Sequence, residues 1–278
     1  MLQVVFVKWG TRYGTDWVNR HARAVKRHAN GDVRFVCITD EHDPTFAEDV
    51  EVRLFPKFSV PIESLKRGAL LKLSIFAPGM LSPHIPTLYL DLDTSVVGDV
   101  TRIEQHISRY SGIHMLRGHW VPWWRVQRFV RQVFRKKYYK ANGSAMGFIP
   151  AEHAGVFARF NELVEGTLDD ENRPKTLRVD DRFLSCHFRD EVRVFPNSLI
   201  VKYAQEYMAP FALIETLRNK LPWVQSRREN LVAVSFPGVE LKPDDLALLD
   251  EGVVIKHKWL RGVWAQQDYR QYWTERAA

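Results

Sequence analysis

Two aspartates one residue apart carry the clearest chemistry in the sequence: Asp91 and Asp93 in the run LYLDLDT. The residues before them form an apolar, strand-like run. At a period of two, both carboxylates fall on one face and Leu92 on the other. Carboxylates side by side repel, and burying them unpaired is costly. A hard divalent cation relieves both problems and keeps positions open for phosphate oxygens. Two solvated acids closing a strand before a turn is the plainer reading, and Asp-x-Asp alone is a weak pattern. Its setting favours the cation, because open α/β sheets bind ligands at the carboxyl ends of their strands.

Other residues have types suited to the same work. In the loop KWGTRYGT, which starts at Lys8 and includes Thr11, Gly10 and Gly14 allow close backbone approach to a ligand. Tyr13 or Trp9 offers a ring face to a base. On these residues alone, a plain turn with two glycines is the simpler reading. Asp40 closes a second strand, where it can accept from a base N–H or cap the next turn. Lys72 sits among apolar residues of a helical stretch, where a lysine snorkels. Asn142, Gly143 and Ser144 form a loop entering a strand. Asp180 and Asp181 open a helix, a place where the macrodipole alone favours acids.

Placing these residues together requires a layered sheet. Strand-type runs at 2–8, 33–40, 50–56, 87–93, 112–117, 144–150, 191–195 and 230–236 are interleaved with helical patterns. The helices are expected at 15–28, 68–77, 101–108, 151–165 and from 179. That alternation predicts an α/β sheet in one domain, residues 1–250, with a C-terminal extension, 251–278, that is partly helical. A chain of 278 residues, 45% hydrophobic, suffices for such a core. Its two cysteines, Cys37 and Cys186, exclude a disulfide scaffold. The N-terminus MLQVVFVKWG turns polar too soon for a signal peptide, and no long apolar stretch occurs, so the expected compartment is cytoplasmic.

A formal charge of +7 points to anionic partners. No acid occurs between Glu104 and Glu152, and Arg125, Arg128, Arg131 and Arg135 recur there at helical spacing among aromatic residues. This predicts a basic amphipathic helix for peripheral contact with anionic membrane, a clamp for a charged acceptor, or a solvated basic face. No nucleic-acid motif accompanies the charge, so nucleic acid is not an expected partner.

Taken in order, VKWGTRYGTDWVNRHARAVKRH, FVCITDE, LLKLSIFAPGML, LYLDLDTSVVGDV, NGSAMGFIP, VDDRFLSCHF and FPGVELKP resemble the GT-A-fold glycosyltransferases. The likeness is to the family 8-like, nucleotide-sugar-dependent bacterial enzymes, and it runs to about Leu246. It implies a GT-A-like, Rossmann-like layered mixed sheet flanked by helices. By resemblance, Asp91 and Asp93 hold Mn²⁺ or Mg²⁺ on the donor diphosphate, and the donor also meets Leu92, the loop from Lys8 to Tyr13, and Asp40. Lys72 reaches the donor phosphate, Asn142, Gly143 and Ser144 line the sugar pocket, and Asp180 and Asp181 grip the transferred sugar. Asp181 stands where the family has Gln. The family's metal-binding His near Phe236 is missing; His257, between Lys256 and Lys258, is either its substitute or a surface histidine, and Lys242, the diphosphate lysine, comes one residue late.

The expected activity is metal-dependent transfer of a hexose from a nucleotide sugar, a UDP-sugar first, to a saccharide or lipid-linked acceptor, with retention. A catalytically degenerate binding module, attached to membrane or partner through the basic helix, is the alternative. A sugar-nucleotide pyrophosphorylase fits less well, since the Gly-rich, Arg-containing phosphate loop it needs is absent.

Overall fold

A computed structural model describes residues 1–42, 44–47, 49–118, 141–167, 173–237 and 241–264. The basic aromatic segment with Arg125, Arg128, Arg131 and Arg135, Gly238 to Glu240, and residues 265–278 lie outside the described residues.

Strand β1 (Leu2–Lys8) is buried along its whole length, as a central strand covered on both faces must be. Helix α1 (Thr15–His28) buries Val18, Ala22 and Val25 on one stripe, with Asp16 in its first turn and basic residues in its last. Strands β2 (Val33–Thr39) and β3 (Val50–Leu54) extend the sheet in parallel. Strand β4 (Thr87–Leu90) lies parallel to β1 on its other side. Beyond it come β7 (Ala141–Phe148), β6 (Ile113–Arg117) and β8 (Val192–Val194), giving the order β3-β2-β1-β4-β7-β6-β8. Strand β7 is antiparallel to both neighbours, so the sheet is mixed. The direction of winding reverses between β1 and β4, and their carboxyl ends open a crevice there.

Alternation along the strands builds two apolar layers. Val5, Val7 and Tyr89 face one, with Leu70 and Leu73; Val4, Phe6, Leu88 and Leu90 face the other, with Val18 and Ile103. Helices α2 (Thr101–Arg109), α3 (Gly155–Val164) and α4 (Asp180–His187) follow the expected positions.

A second sheet has three strands, in the order β5 (Thr94–Val96), β10 (Ala233–Ser235), β9 (Ile200–Lys202). Around it pack the short helices α5 (Tyr203–Glu206), α6 (Ala212–Asn219), α7 (Pro222–Glu229) and α8 (Pro243–Ala247). A hairpin of β11 (Val254–His257) and β12 (Leu260–Val263) closes a third apolar cluster through Ile255, Leu260 and Trp264.

Two expectations change. The helix expected at 68–77 is a 3-10 segment, Arg67–Phe76, kinked where Gly68 and Ala69 take positive φ. The strand at 230–236 shrinks to Ala233–Ser235, because Asn230 and Leu231 close the end of α7. The described part of the C-terminal extension forms the hairpin, consistent with the buried–exposed alternation of Val254–His257, and the rest of it, 265–278, lies outside the described residues. Among the described residues no helix is long and apolar enough to cross a membrane.

Candidate active site

The Asp-x-Asp pair does not continue β4. The strand ends at Leu90, and a tight turn closes when Thr94 N donates to Asp91 O at 3.0 Å. Asp91 N donates to Ser144 O of β7 at 2.9 Å, and Phe236 N, after β10, donates to Asp93 O at 3.1 Å. Leu92, 4% exposed, drops into the apolar layer below and anchors the turn. The aspartates therefore share the crevice through a turn that joins the two sheets, not through strand alternation.

Each carboxylate has a different environment. Asp91 receives Lys72 Nζ at 2.6 Å on Oδ1 and 2.8 Å on Oδ2, and Tyr89 Oη donates to Oδ1. Burial pulls the lysine's proton affinity down, but Asp91 and Asp180 outweigh it and hold Lys72 above the usual lysine range. Asp93 has a buried Oδ1 without a hydrogen-bond partner; burial and the neighbouring Asp91 push its pKa up to about 7. Asp180, at the start of α4, likewise has a buried and unpartnered Oδ2, and burial with Asp181 and Asp91 raises it to about 7. Asp181 is raised by burial and accepts from Asn142 Nδ2 at 3.3 Å. Gly143 has no room for a side chain, since a Cβ there would stand 2.0 Å from Asp180 Oδ2. Ser144 contributes its backbone, its N–H donating to Asn142 Oδ1 at 3.2 Å.

A cavity of about 260 Å³ opens over the turn, lined by Trp9, Arg12, Tyr13, Lys72, Asp91 and Asp93 among others. Tyr13 packs edge-on against Trp17 with centroids 4.8 Å apart, and the Arg12 guanidinium lies 5.1 Å from the Tyr13 ring. Gly10, at φ +61, donates its N–H to both Asp40 oxygens at 3.1 and 3.2 Å, so Asp40 fixes the loop. Lys8 is buried and paired with Glu41, and Thr11 is exposed; neither lines the cavity. Lys242 caps α8 and is exposed, also away from the lining.

His257 is buried in the hairpin. Among the described residues no three His, Cys, Asp or Glu side chains gather closely enough to hold a metal, so His257 does not join the aspartates in such a set. Asp93 Oδ1, buried beside Asp91 without a hydrogen-bond partner, nevertheless fits a cation, which would satisfy a group that is otherwise costly to bury.

Sequence reasoning missed Tyr89 and Lys202. Tyr89 ends in the same apolar run as the aspartates and reads as core; only its hydroxyl reaches the site. Lys202 ends β9 and is partly buried; burial lowers its pKa to about 8, opposed by Asp181, Asp91 and Asp93.

No protein-family model matches the sequence, and no curated protein matches it. Solved structures do match in fold. The galactosyltransferase LgtC, in complex with donor and acceptor sugar analogues, superposes with a TM-score of 0.55 at 15% identity, over 87% of this chain and 88% of that one. GlyE, a glycosyltransferase of Streptococcus pneumoniae TIGR4, gives 0.56 at 11% identity over 99% of this chain and 62% of that one. The bifunctional glycosyltransferase WbbM gives 0.54 at 11% identity over 87% and 46%. The chain has the GT-A fold of these enzymes, as the sequence resemblance predicts.

Proposed function

We propose that the protein is a metal-dependent glycosyltransferase that moves a hexose from a nucleotide sugar, a UDP-sugar first, to a saccharide or lipid-linked acceptor. The carrying observation is the carboxylate cluster at the switch point, where Asp93 and Asp180 each bury an oxygen with no hydrogen-bond partner. The shared fold supports it, since LgtC was solved with donor and acceptor sugar analogues. Retention of configuration follows the family resemblance.

In this reading Trp9 and Tyr13 receive the base, and Asp40 holds the loop that carries them. Lys72 and Tyr89 fix Asp91 in one orientation. Asp180, Asp181 and Asn142 bind sugar hydroxyls, with Gly143 leaving the space that Asp180 needs. The acceptor oxygen bonds the anomeric carbon as the carbon–oxygen bond to the β-phosphate breaks. Its electron pair leaves on the nucleoside diphosphate, which also takes the hydroxyl proton. Asp91 and Asp93 would hold Mn²⁺ or Mg²⁺, which when bound offsets charge on the departing diphosphate.

Calorimetry tests the metal. UDP should bind much more tightly with Mn²⁺ than with EDTA, and Asp91→Asn with Asp93→Asn should abolish the difference; equal affinities in the wild type overturn the assignment. An unchanged Mn²⁺ titration in His257→Ala removes that residue from the set. The lack of a third protein ligand among the described residues favours a second reading, a binding module without turnover. Mn²⁺-dependent hydrolysis of any nucleotide sugar decides against it.

A further inference from the structure

Lys72 is the lysine expected at the donor phosphate, yet Asp91 already holds its Nζ through both carboxylate oxygens, at 2.6 and 2.8 Å. Lys242 is exposed, whereas Lys202 is partly buried among the aspartates, although neither is among the residues that line the cavity. Lys202 ends β9 opposite Ser235, and Ser235 stands opposite Thr94, the residue after Asp93. The three form one row across the small sheet, at strand spacings of about 4.8 Å, which puts Lys202 within a side chain's reach of an anion beside Asp93. It feels the charges of Asp181, Asp91 and Asp93. Among the described residues, however, its Nζ makes no hydrogen bond and no ion pair within 4.0 Å. A partly buried ammonium keeps its donors unused only at a cost, which an incoming anion removes.

Charge balance points the same way. The carboxyl groups of Asp91, Asp93, Asp180 and Asp181 outnumber the cations nearest them, Lys72, Lys202 and Arg12, and a divalent cation offsets that excess. A diphosphate then brings further negative charge, and it meets the ammonium that is not already paired.

We propose that Lys202 is the cation that grips the diphosphate of the donor, the role from which Asp91 withholds Lys72. The inference rests on the donor-binding reading above and adds a residue to it.

The test uses the full chain and inorganic pyrophosphate with Mn²⁺, which isolates the diphosphate from base and sugar. Lys202→Met should bind it about ten-fold more weakly, the loss expected for one hydrogen bond to a charged group. Lys202→Arg should restore most of that loss. In the wild type, Mn²⁺ and pyrophosphate should protect Lys202 from acetylation by acetic anhydride while leaving exposed Lys220 reactive, as read by mass spectrometry. That measurement stands even where Lys202→Met fails to fold. Unchanged affinity in a folded Lys202→Met, or no protection of Lys202, overturns the proposal while wild-type binding leaves the donor reading intact. Wild-type protein that binds neither pyrophosphate nor UDP with Mn²⁺ overturns both.

Discussion

Asp93 titrates at about 7 against an ordinary 3.8, so between those values the folded chain keeps a proton that the unfolded chain has lost. Stability from this group falls as pH rises through that window. Buried His21, lowered to about 4 chiefly by burial, tilts the curve the other way over an overlapping range, so only a difference isolates Asp93. In EDTA, the melting temperature of Asp93→Asn relative to wild type should therefore climb from about pH 4 to about pH 7. A flat difference would show that Asp93 is solvated. Gly143→Ala places a Cβ 2.0 Å from Asp180 Oδ2 and must displace that carboxylate. Initial rates should drop about a hundred-fold, and denaturation should show a loss of about 1–3 kcal/mol. Wild-type rates in a folded Gly143→Ala would remove Asp180 from the sugar site.

The segment Arg67–Phe76 exists to deliver Lys72, and its kink is fixed by Gly68 at φ +69, where a Cβ would meet Arg178 O at 1.8 Å. Gly68→Ala should cost about 3 kcal/mol, measured as a shifted denaturant midpoint at unchanged slope. A shift much smaller than that would mean the backbone there relaxes freely. The same segment shows where sequence reading stops. Leu70 to Phe76 are all buried, so they carry no period, and an apolar run of that length reads as an ordinary helix. Strands β1, β2 and β4 were legible because unbroken apolar runs end in polar residues. The region of α6 was not, since its pattern is inverted: Leu213, Ile214 and Leu217 are exposed while Glu215 is buried against Arg218 and Arg228. Lys202 was hidden for a related reason, on a strand of three residues whose partner strand comes later in the chain.

For the molecule as a whole, we propose from the sequence alone, its formal charge of +7 and its arginine-rich segment, that the chain attaches to anionic surfaces, an acceptor clamp and a solvated face being the other two readings. Each basic residue near such a surface contributes about 1 kcal/mol, and the Debye length falls to about 3 Å at 1 M salt. Sedimentation with anionic but not neutral vesicles, reversed by high salt, is expected. Changing Arg125, Arg128, Arg131 and Arg135 together to Gln should eliminate it; retained sedimentation would assign the attraction to another surface. The turn from Asp91 to Thr94 has a wider consequence, because its amide bonds to Ser144 O and from Phe236 N stitch the large sheet to the small one. Whatever settles on the aspartates thereby clamps a seam between two separately hydrogen-bonded lattices. Local opening of that seam must then become rarer. Deuterium uptake at the amides of Asp91, Thr94 and Phe236 should slow together when UDP and Mn²⁺ are added, with the remote hairpin amides of Ile255 and Arg261 unchanged. Slowing confined to Asp91 would mean that the two sheets breathe independently.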